Sequence, residues 1–224
     1  MSSKWDQYFH SHYNPQEKDW GMQDLIYYRN WYFSWVTYIC NIPLVNKKLI
    51  GKPIGFEIGS AIGGTTSLLA EKGIQMTGSD ISREIVKQAG KINKSIPFVF
   101  CDIQKGIPGK KKYDFIFAFE VLEHLADPIT SLKNIRRGLK KGGVLVASTP
   151  YPFKKAYTDP THCSVMYPSE WKTIFRKAGF SRTATRPMSF FPFLWKLSKF
   201  LNPVLPFYIP FDNIVSTTLV IAEK

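Results

Sequence analysis

The feature that most constrains this chain is a glycine-rich turn set between apolar runs in the stretch Ile54 to Asp80, with Gly59, Gly63 and Gly64 in the turn. The run before the turn reads as a strand and the run after it as a helix. A second apolar strand then ends on Asp80. Together they predict a β-α-β unit. Glycines remove side chains where the chain must bend and where backbone N–H groups can face a ligand. A carboxylate at the end of the second strand can accept both hydroxyls of a ribose, and a charge-assisted bond of that kind contributes about 1.5–3 kcal/mol.

Two spacings compete for the turn. The G-x-G-x-x-G frame of nicotinamide sites falls on Gly59, Ala61 and Gly64, whereas E/D-x-G-x-G-x-G falls on Glu57, Gly59, Ala61 and Gly63. Each frame has Ala61 where glycine is usual, at a cost of about 1 kcal/mol if the backbone needs positive φ. Glu57 favours the second frame, because an acid buried two residues before the turn needs a partner.

With 224 residues, 44% of them hydrophobic, the chain is long enough for one α/β domain with a sizeable core and is not disordered by composition. The start, MSSKWDQYFHSHYN, has no apolar core of a secretory leader, so a cytoplasmic location is expected. Cys40, Cys101 and Cys163 are odd in number and widely spaced, which argues against a disulfide framework; the lack of a C-x-x-C pair disfavours zinc. A formal net charge of +13 points to anionic partners or simply to a solvated, lysine-rich surface. Lys110–Lys112 and Lys140–Lys141 precede strands and should lie on the edge away from a ligand crevice; Lys154 and Lys155 follow a strand and could face a substrate.

Residues 1–50 are crowded with aromatics, and Gln23 to Ile39 reads as a helix, too short and polar for a membrane span. They form an expected helical lid, with the main domain over 51–224. Within that domain Ser82 caps a helix to about Asn93, Pro97–Phe100 is a third strand and Tyr113–Phe119 a fourth. Asp127-Pro128 opens a helix to Leu139, and Gly142-Gly143 turns the chain into a fifth strand, VLVASTP. A helix closed by Gly179 follows, then strands at 180–188 and 215–222. Between these strands, about 189–213, lies an apolar insertion with Lys196 and Lys199 among its aromatics; its prolines exclude one straight spanning helix.

In this order, FEIGSAIGG, GSD, CDI, YDFIFAFEVLEHL, LKKGGVLVASTP and KAGF resemble the class I S-adenosylmethionine-dependent methyltransferases, over 54 to about 182 and the final strand. The likeness is greatest to the broad group that modifies ubiquinone-pathway, sugar and lipid substrates. It implies a Rossmann-like three-layer α/β sandwich with a seven-stranded sheet, order 3-2-1-4-5-7-6, strand 7 antiparallel. It further implies S-adenosylmethionine held by Glu57, Gly59, Ala61, Gly63, Asp80, Ile81, Asp102, Ile103 and Phe119. In that setting Glu57 would meet the methionine amino group, Asp80 the ribose, Asp102 the adenine amino group and Ile103 the adenine ring.

Methyl transfer needs alignment, dry walls and, for a hydroxyl acceptor, a proton acceptor. No N/D-P-P-F/Y motif follows the fourth strand, so an oxygen acceptor is expected before a carbon one. Glu120, Glu123 and His124 have i, i+3, i+4 spacing, and His162 lies in a loop that could fold over the same crevice. Either His124 or His162 can serve as general base near Glu120. Alternatively, Glu120, Glu123, His124 and His162 could hold a divalent cation such as Mg2+, as in the similar E-x-x-E-H of small-RNA 2′-O-methyltransferases. Three functions stay open: O-methylation of a small or lipid-linked acceptor of glycan or quinone type, RNA 2′-O-methylation with a metal, and non-catalytic S-adenosylmethionine binding. Residues 190–211 could meet an anionic membrane surface, roof the site, receive a greasy substrate or bury a dimer face, so a peripheral membrane location is a further expectation.

Overall fold

A computed structural model of the chain describes residues 20–191, 193–211 and 213–224. Much of the aromatic start of the expected lid, residues 1–19, lies outside the described residues. Elements are numbered here among the described residues. Seven strands, β1 (Ile54–Ile58), β2 (Gln75–Asp80), β3 (Phe98–Phe100), β4 (Tyr113–Phe119), β5 (Leu139–Pro150), β6 (Arg182–Phe190) and β7 (Val215–Glu223), form one sheet. Its order is β3-β2-β1-β4-β5-β7-β6, and β7 runs antiparallel to both neighbours while the other pairs are parallel. The sheet is the one the sequence resemblance implies.

Side-chain alternation divides the core into two layers. Phe115 and Phe117 of β4, Val144 and Val146 of β5, and Leu219 and Ile221 of β7 share one buried cluster with α1 (Met22–Cys40), α2 (Pro43–Lys48) and α3 (Gly64–Glu71). The intervening Ile116, Ala118, Leu145, Ala147, Val220 and Ala222 share the other with α5 (Pro128–Gly138) and α6 (Pro168–Lys177). Strand side chains point alternately to opposite faces, so near-continuous apolar strands need cover on both sides. Between them in sequence, α4 (Arg83–Ile92) begins where the Ser82 hydroxyl accepts from the Ile85 N–H at 3.3 Å. Helix α5 begins where Asp127 accepts from the Thr130 N–H at 3.0 Å, with Pro128 at its first position.

One boundary moved. The glycine pair 142–143 was expected to turn the chain before β5, but β5 begins at Leu139, which pairs with Tyr113. The register then shifts so that Phe115 faces Val144, and Gly142, at φ +70°, turns the chain inside this irregularity. The insertion after β6 folds back on α1: Trp195 meets Tyr27 edge-on at 4.6 Å, and the Ser34 hydroxyl donates to the Lys199 carbonyl at 3.1 Å. Among the described residues no helix is long and apolar enough to cross a membrane.

Candidate functional site

A cavity of about 460 Å³ opens outside the carboxyl ends of β1, β2 and β4, where the order of a doubly wound sheet places ligands. Its floor is the turn after β1. Gly59, Ala61 and Gly63 all have left-handed backbone, at φ +69°, +45° and +88°. A Cβ at Gly59 would come within 2.6 Å of Val121 Cγ2, so both space and backbone require glycine there. Ala61 does adopt the costly conformation. Its N–H donates to Asp80 Oδ2 at 3.1 Å, and the Ser82 N–H donates to Oδ1 at 3.0 Å. Asp80 is buried, and burial raises its pKa to about 6 despite those two bonds. A carboxylate oriented by backbone and lining the cavity can receive two vicinal hydroxyls.

Glu57, buried at the end of β1, also lines the cavity. Its partners come from within the chain: the Thr65 and Thr66 hydroxyls at the start of α3 donate to its two oxygens. Burial raises its pKa to about 7, against the lowering effect of these hydroxyls, and Asp80 adds to the rise. The sequence reading looked to a ligand for this partner and missed both threonines. Their offsets of eight and nine residues, straddling the turn, are the signal that could have found them.

Ile81, Asp102, Ile103 and Phe119 line the same cavity. Asp102 follows β3, accepts from the Gln104 N–H at 3.1 Å and lies 3.3 Å from Lys105 Nζ. Gly63 is not a lining residue; it caps α3, and Gly64 takes the wall position. The opposite wall holds three residues not predicted individually, Trp20, Tyr28 and Tyr32. The last two are spaced i, i+4 on α1, so they share a helix face. Arg29 beside them fastens α1 to α3, donating to Ser67 Oγ at 2.7 Å and Glu71 Oε1 at 2.6 Å.

Beyond β4 the cavity reaches Glu120 and His124. Glu120 has φ +51°, and its Oε1 accepts from Ser148 Oγ at 2.7 Å and Thr217 Oγ1 at 2.9 Å. Burial holds its pKa above the ordinary range, while both hydroxyls and His162 pull it down. The turn 122–124 is a short 3-10 helix that buries Glu123. Glu123 Oε2 makes no close hydrogen bond, and burial, with Glu120 nearby, drives its pKa well up against the lowering effect of the neighbouring Thr149 hydroxyl. His124 and His162 pack edge to face at 4.8 Å. His162 Nδ1 lies 2.6 Å from the Ala156 carbonyl and His124 Nδ1 lies 3.3 Å from the Thr161 carbonyl. The Ala156 carbonyl can only accept, so it puts the His162 proton on Nδ1. His124 Nδ1 is nearer still to Thr161 Oγ1, at 3.1 Å, whose own proton goes to Asp159 Oδ1 at 2.6 Å, so His124 Nδ1 too meets only acceptors and each Nε2 is left to accept. Ligand atoms of Glu123, His124 and His162 lie within 4.8 Å of one another, a group able to hold a metal ion; Glu120, expected as a fourth member, is not in it. Neither Glu123 nor His162 lines the main cavity.

Comparison with known proteins points one way. A family model described as a methyltransferase domain matches residues 44–185. The chain is 31% identical over 108 residues to the trans-aconitate 2-methyltransferase of Azoarcus sp., covering 47% of this chain and 41% of that one. It is 31% identical over 113 residues to the ubiquinone biosynthesis O-methyltransferase of Coxiella burnetii, covering 49% of this chain and 48% of that one. The chain thus spans less than half the length of these curated relatives. A Thermotoga maritima crystal structure described as a SAM-dependent methyltransferase superposes with TM-score 0.67 at 21% identity, covering 96% of this chain and 97% of that one. A Haemonchus contortus N-methyltransferase in complex with S-adenosylhomocysteine superposes with TM-score 0.58 at 18% identity, covering 76% and 48%.

Proposed function

The chain belongs to the methyltransferase domain family, and on that premise we propose that it is an S-adenosylmethionine-dependent enzyme that methylates an oxygen of a small or lipid-linked acceptor, of glycan or quinone type. The observation that carries this reading is one cavity lined by Asp80 at the end of β2 and by Glu120 and His124 beyond β4. The two strand ends flank β1, two strand spacings or about 10 Å apart. That is room for a sugar on one side and a reacting group on the other.

In this reading Asp80 holds the ribose hydroxyls, Asp102 accepts from the adenine amino group, and Ile81, Ile103 and Phe119 pack on the rings. The turn from Gly59 to Gly63 takes the methionine end, with Glu57 and its two threonines beneath it. The sulfonium supplies the methyl group. A lone pair of the acceptor oxygen attacks the methyl carbon in line, the C–S bond breaks with its electron pair going to sulfur, and a neutral thioether leaves. His124 Nε2 accepts the hydroxyl proton as the O–C bond forms, with His162 edge-on behind it. Tyr28, Tyr32 and Trp20 exclude water from the wall. An acceptor screen scored by S-adenosylhomocysteine release tests the assignment. His124→Ala should lower turnover about 10²–10⁴-fold with little change in S-adenosylmethionine affinity; unchanged turnover would reject His124 as the base.

A metal-assisted reading has one observation in its favour, the buried Glu123 carboxylate with two imidazoles whose ligand atoms lie within 4.8 Å of it and of each other. The donor set fits a divalent cation, though two nitrogens to one carboxylate suit manganese or zinc better than the expected magnesium. When bound, such an ion would lower the pKa of an acceptor hydroxyl. Manganese binding measured by calorimetry, and its loss in Glu123→Gln, would favour this version; activity indifferent to chelator would favour the histidine base. For an RNA acceptor the charge argument is weak. Lys112 and Lys140 lie at the amino ends of β4 and β5, away from the cavity, where Lys112 donates to the Arg137 carbonyl and Lys140 pairs with Asp114 at 2.8 Å.

A further inference from the structure

The surface formed by residues 193–211 and the outer face of α1 is far more apolar than the rest of the exterior. Leu197 is 78% exposed, Phe200 70% and Phe211 67%, and Phe193, Leu201 and Phe207 are each about half exposed. On α1, Met22, Ile26 and Tyr27 are exposed as well. The segment is seated firmly. Trp195 is buried between Tyr27 and Trp31, at 4.6 and 6.0 Å, and Phe200 meets Phe33 edge-on at 5.2 Å. Ser189 and Leu205 exchange two backbone hydrogen bonds, at 2.9 and 2.8 Å. The exposed side chains therefore stand on a fixed base, and nothing among the described residues covers them.

We propose that this face docks on an anionic lipid membrane surface. Charge selects that occupant. Across the insertion, 189–213, the sequence has two lysines, Lys196 and Lys199, and a single acid, Asp212, near its end. Both are exposed, and Lys199 Nζ lies 4.8 Å from the Phe33 ring and 5.3 Å from the Phe200 ring, at the edge of the apolar surface rather than away from it. Aromatic and leucine side chains entering the headgroup boundary, with lysines at the phosphates, are the arrangement an interfacial segment needs. A second copy of the chain is the poorer fit, because a two-fold contact centred here would set Lys196 and Lys199 against like charges. The docking face and the cavity share one helix. Tyr27 and Trp31 of α1 hold the insertion, while Tyr28 and Tyr32 line the cavity. The Tyr27 and Tyr28 rings lie 5.3 Å apart, so the helix face that seats the insertion adjoins the face that lines the cavity. The docking stands on this surface alone and does not depend on which acceptor is methylated.

The test is flotation of the full chain with vesicles of phosphatidylglycerol and phosphatidylcholine, beside vesicles of phosphatidylcholine alone. The wild type should bind the anionic vesicles and bind neutral ones clearly less. Leu197→Glu with Phe200→Glu should weaken binding at least about tenfold, and Lys196→Glu with Lys199→Glu should weaken it by a similar factor and flatten its salt dependence. S-adenosylmethionine affinity, unchanged in each variant, reports that the fold is intact; Leu197→Ser with Phe200→Ser serves if the glutamates unfold the chain. Absence of vesicle binding, equal binding to neutral vesicles, or binding untouched by either pair would each overturn the proposal. So would a dimer in sedimentation that dissociates on Leu197→Glu, since that would make a second copy the occupant.

Discussion

Ala61 is the residue at which local cost and site geometry meet. Its φ of +45° is a conformation that an L-residue with a Cβ occupies at about 1–2 kcal/mol, yet its N–H is one of the two that orient Asp80. Ala61→Gly keeps that N–H and removes the Cβ, at the expense of more freedom in the unfolded chain. The net expectation is a gain of about 0.5–1 kcal/mol, seen as a melting temperature raised by roughly 1–4 °C. A lowered melting temperature would mean that the Ala61 methyl makes packing contacts worth more than the strain. At this scale the sequence singled out residues that the fold brings to one cavity, and said little about what satisfies them. Asp80, Asp102 and the turn glycines were legible because they sit within a few residues of strand ends whose hydrophobic pattern is plain. The hydrogen bond between Glu120 and Thr217 spans 97 positions and could not be read, because it exists only once β7 has inserted between β5 and β6.

Among the elements, β4 spans Tyr113–Phe119 as the apolar run predicted, and α1 exceeds its predicted Gln23–Ile39 by one residue at each end. Buried parallel strands and capped helices carry their boundaries in local chemistry. The β5 start was misplaced because its first residue is recruited by pairing with Tyr113, a tertiary event that local glycines do not announce. How α1 sits on the domain was likewise invisible, since it depends on Arg29 reaching Ser67 and Glu71 of α3. Glu71 is 60% exposed, so its ion pair contributes little after solvent screening; the bond to the more buried Ser67 contributes more. Arg29→Ala should therefore loosen α1 locally: faster amide exchange over 22–40 and S-adenosylmethionine affinity reduced about three- to tenfold, with little change in global melting. Exchange identical to wild type would show that aromatic packing alone holds α1 in place.

For the molecule as a whole, the two-sided core fixes a rigid sheet, and the parts that form the cavity and the apolar surface gather at its carboxyl edge: the turn after β1, the acids that end β2 and follow β4, helix α1 and the insertion. In the proposed function Asp80, charged and aimed by two backbone N–H groups, receives the ribose of S-adenosylmethionine. With its pKa raised to about 6, Asp80 becomes protonated as pH falls through that value, so the charged acceptor is present above it and lost below. Asp80→Asn retains one oxygen for the turn N–H groups and removes the charge. Calorimetric titration with S-adenosylmethionine, wild type beside Asp80→Asn, tests this most directly. Wild-type affinity should weaken toward tenfold per pH unit below about 6, and the variant should be about ten- to hundredfold weaker at neutral pH and nearly flat across that range; equal affinities, or a wild type that binds equally well at pH 5, would rule out a charged Asp80 as the ribose acceptor.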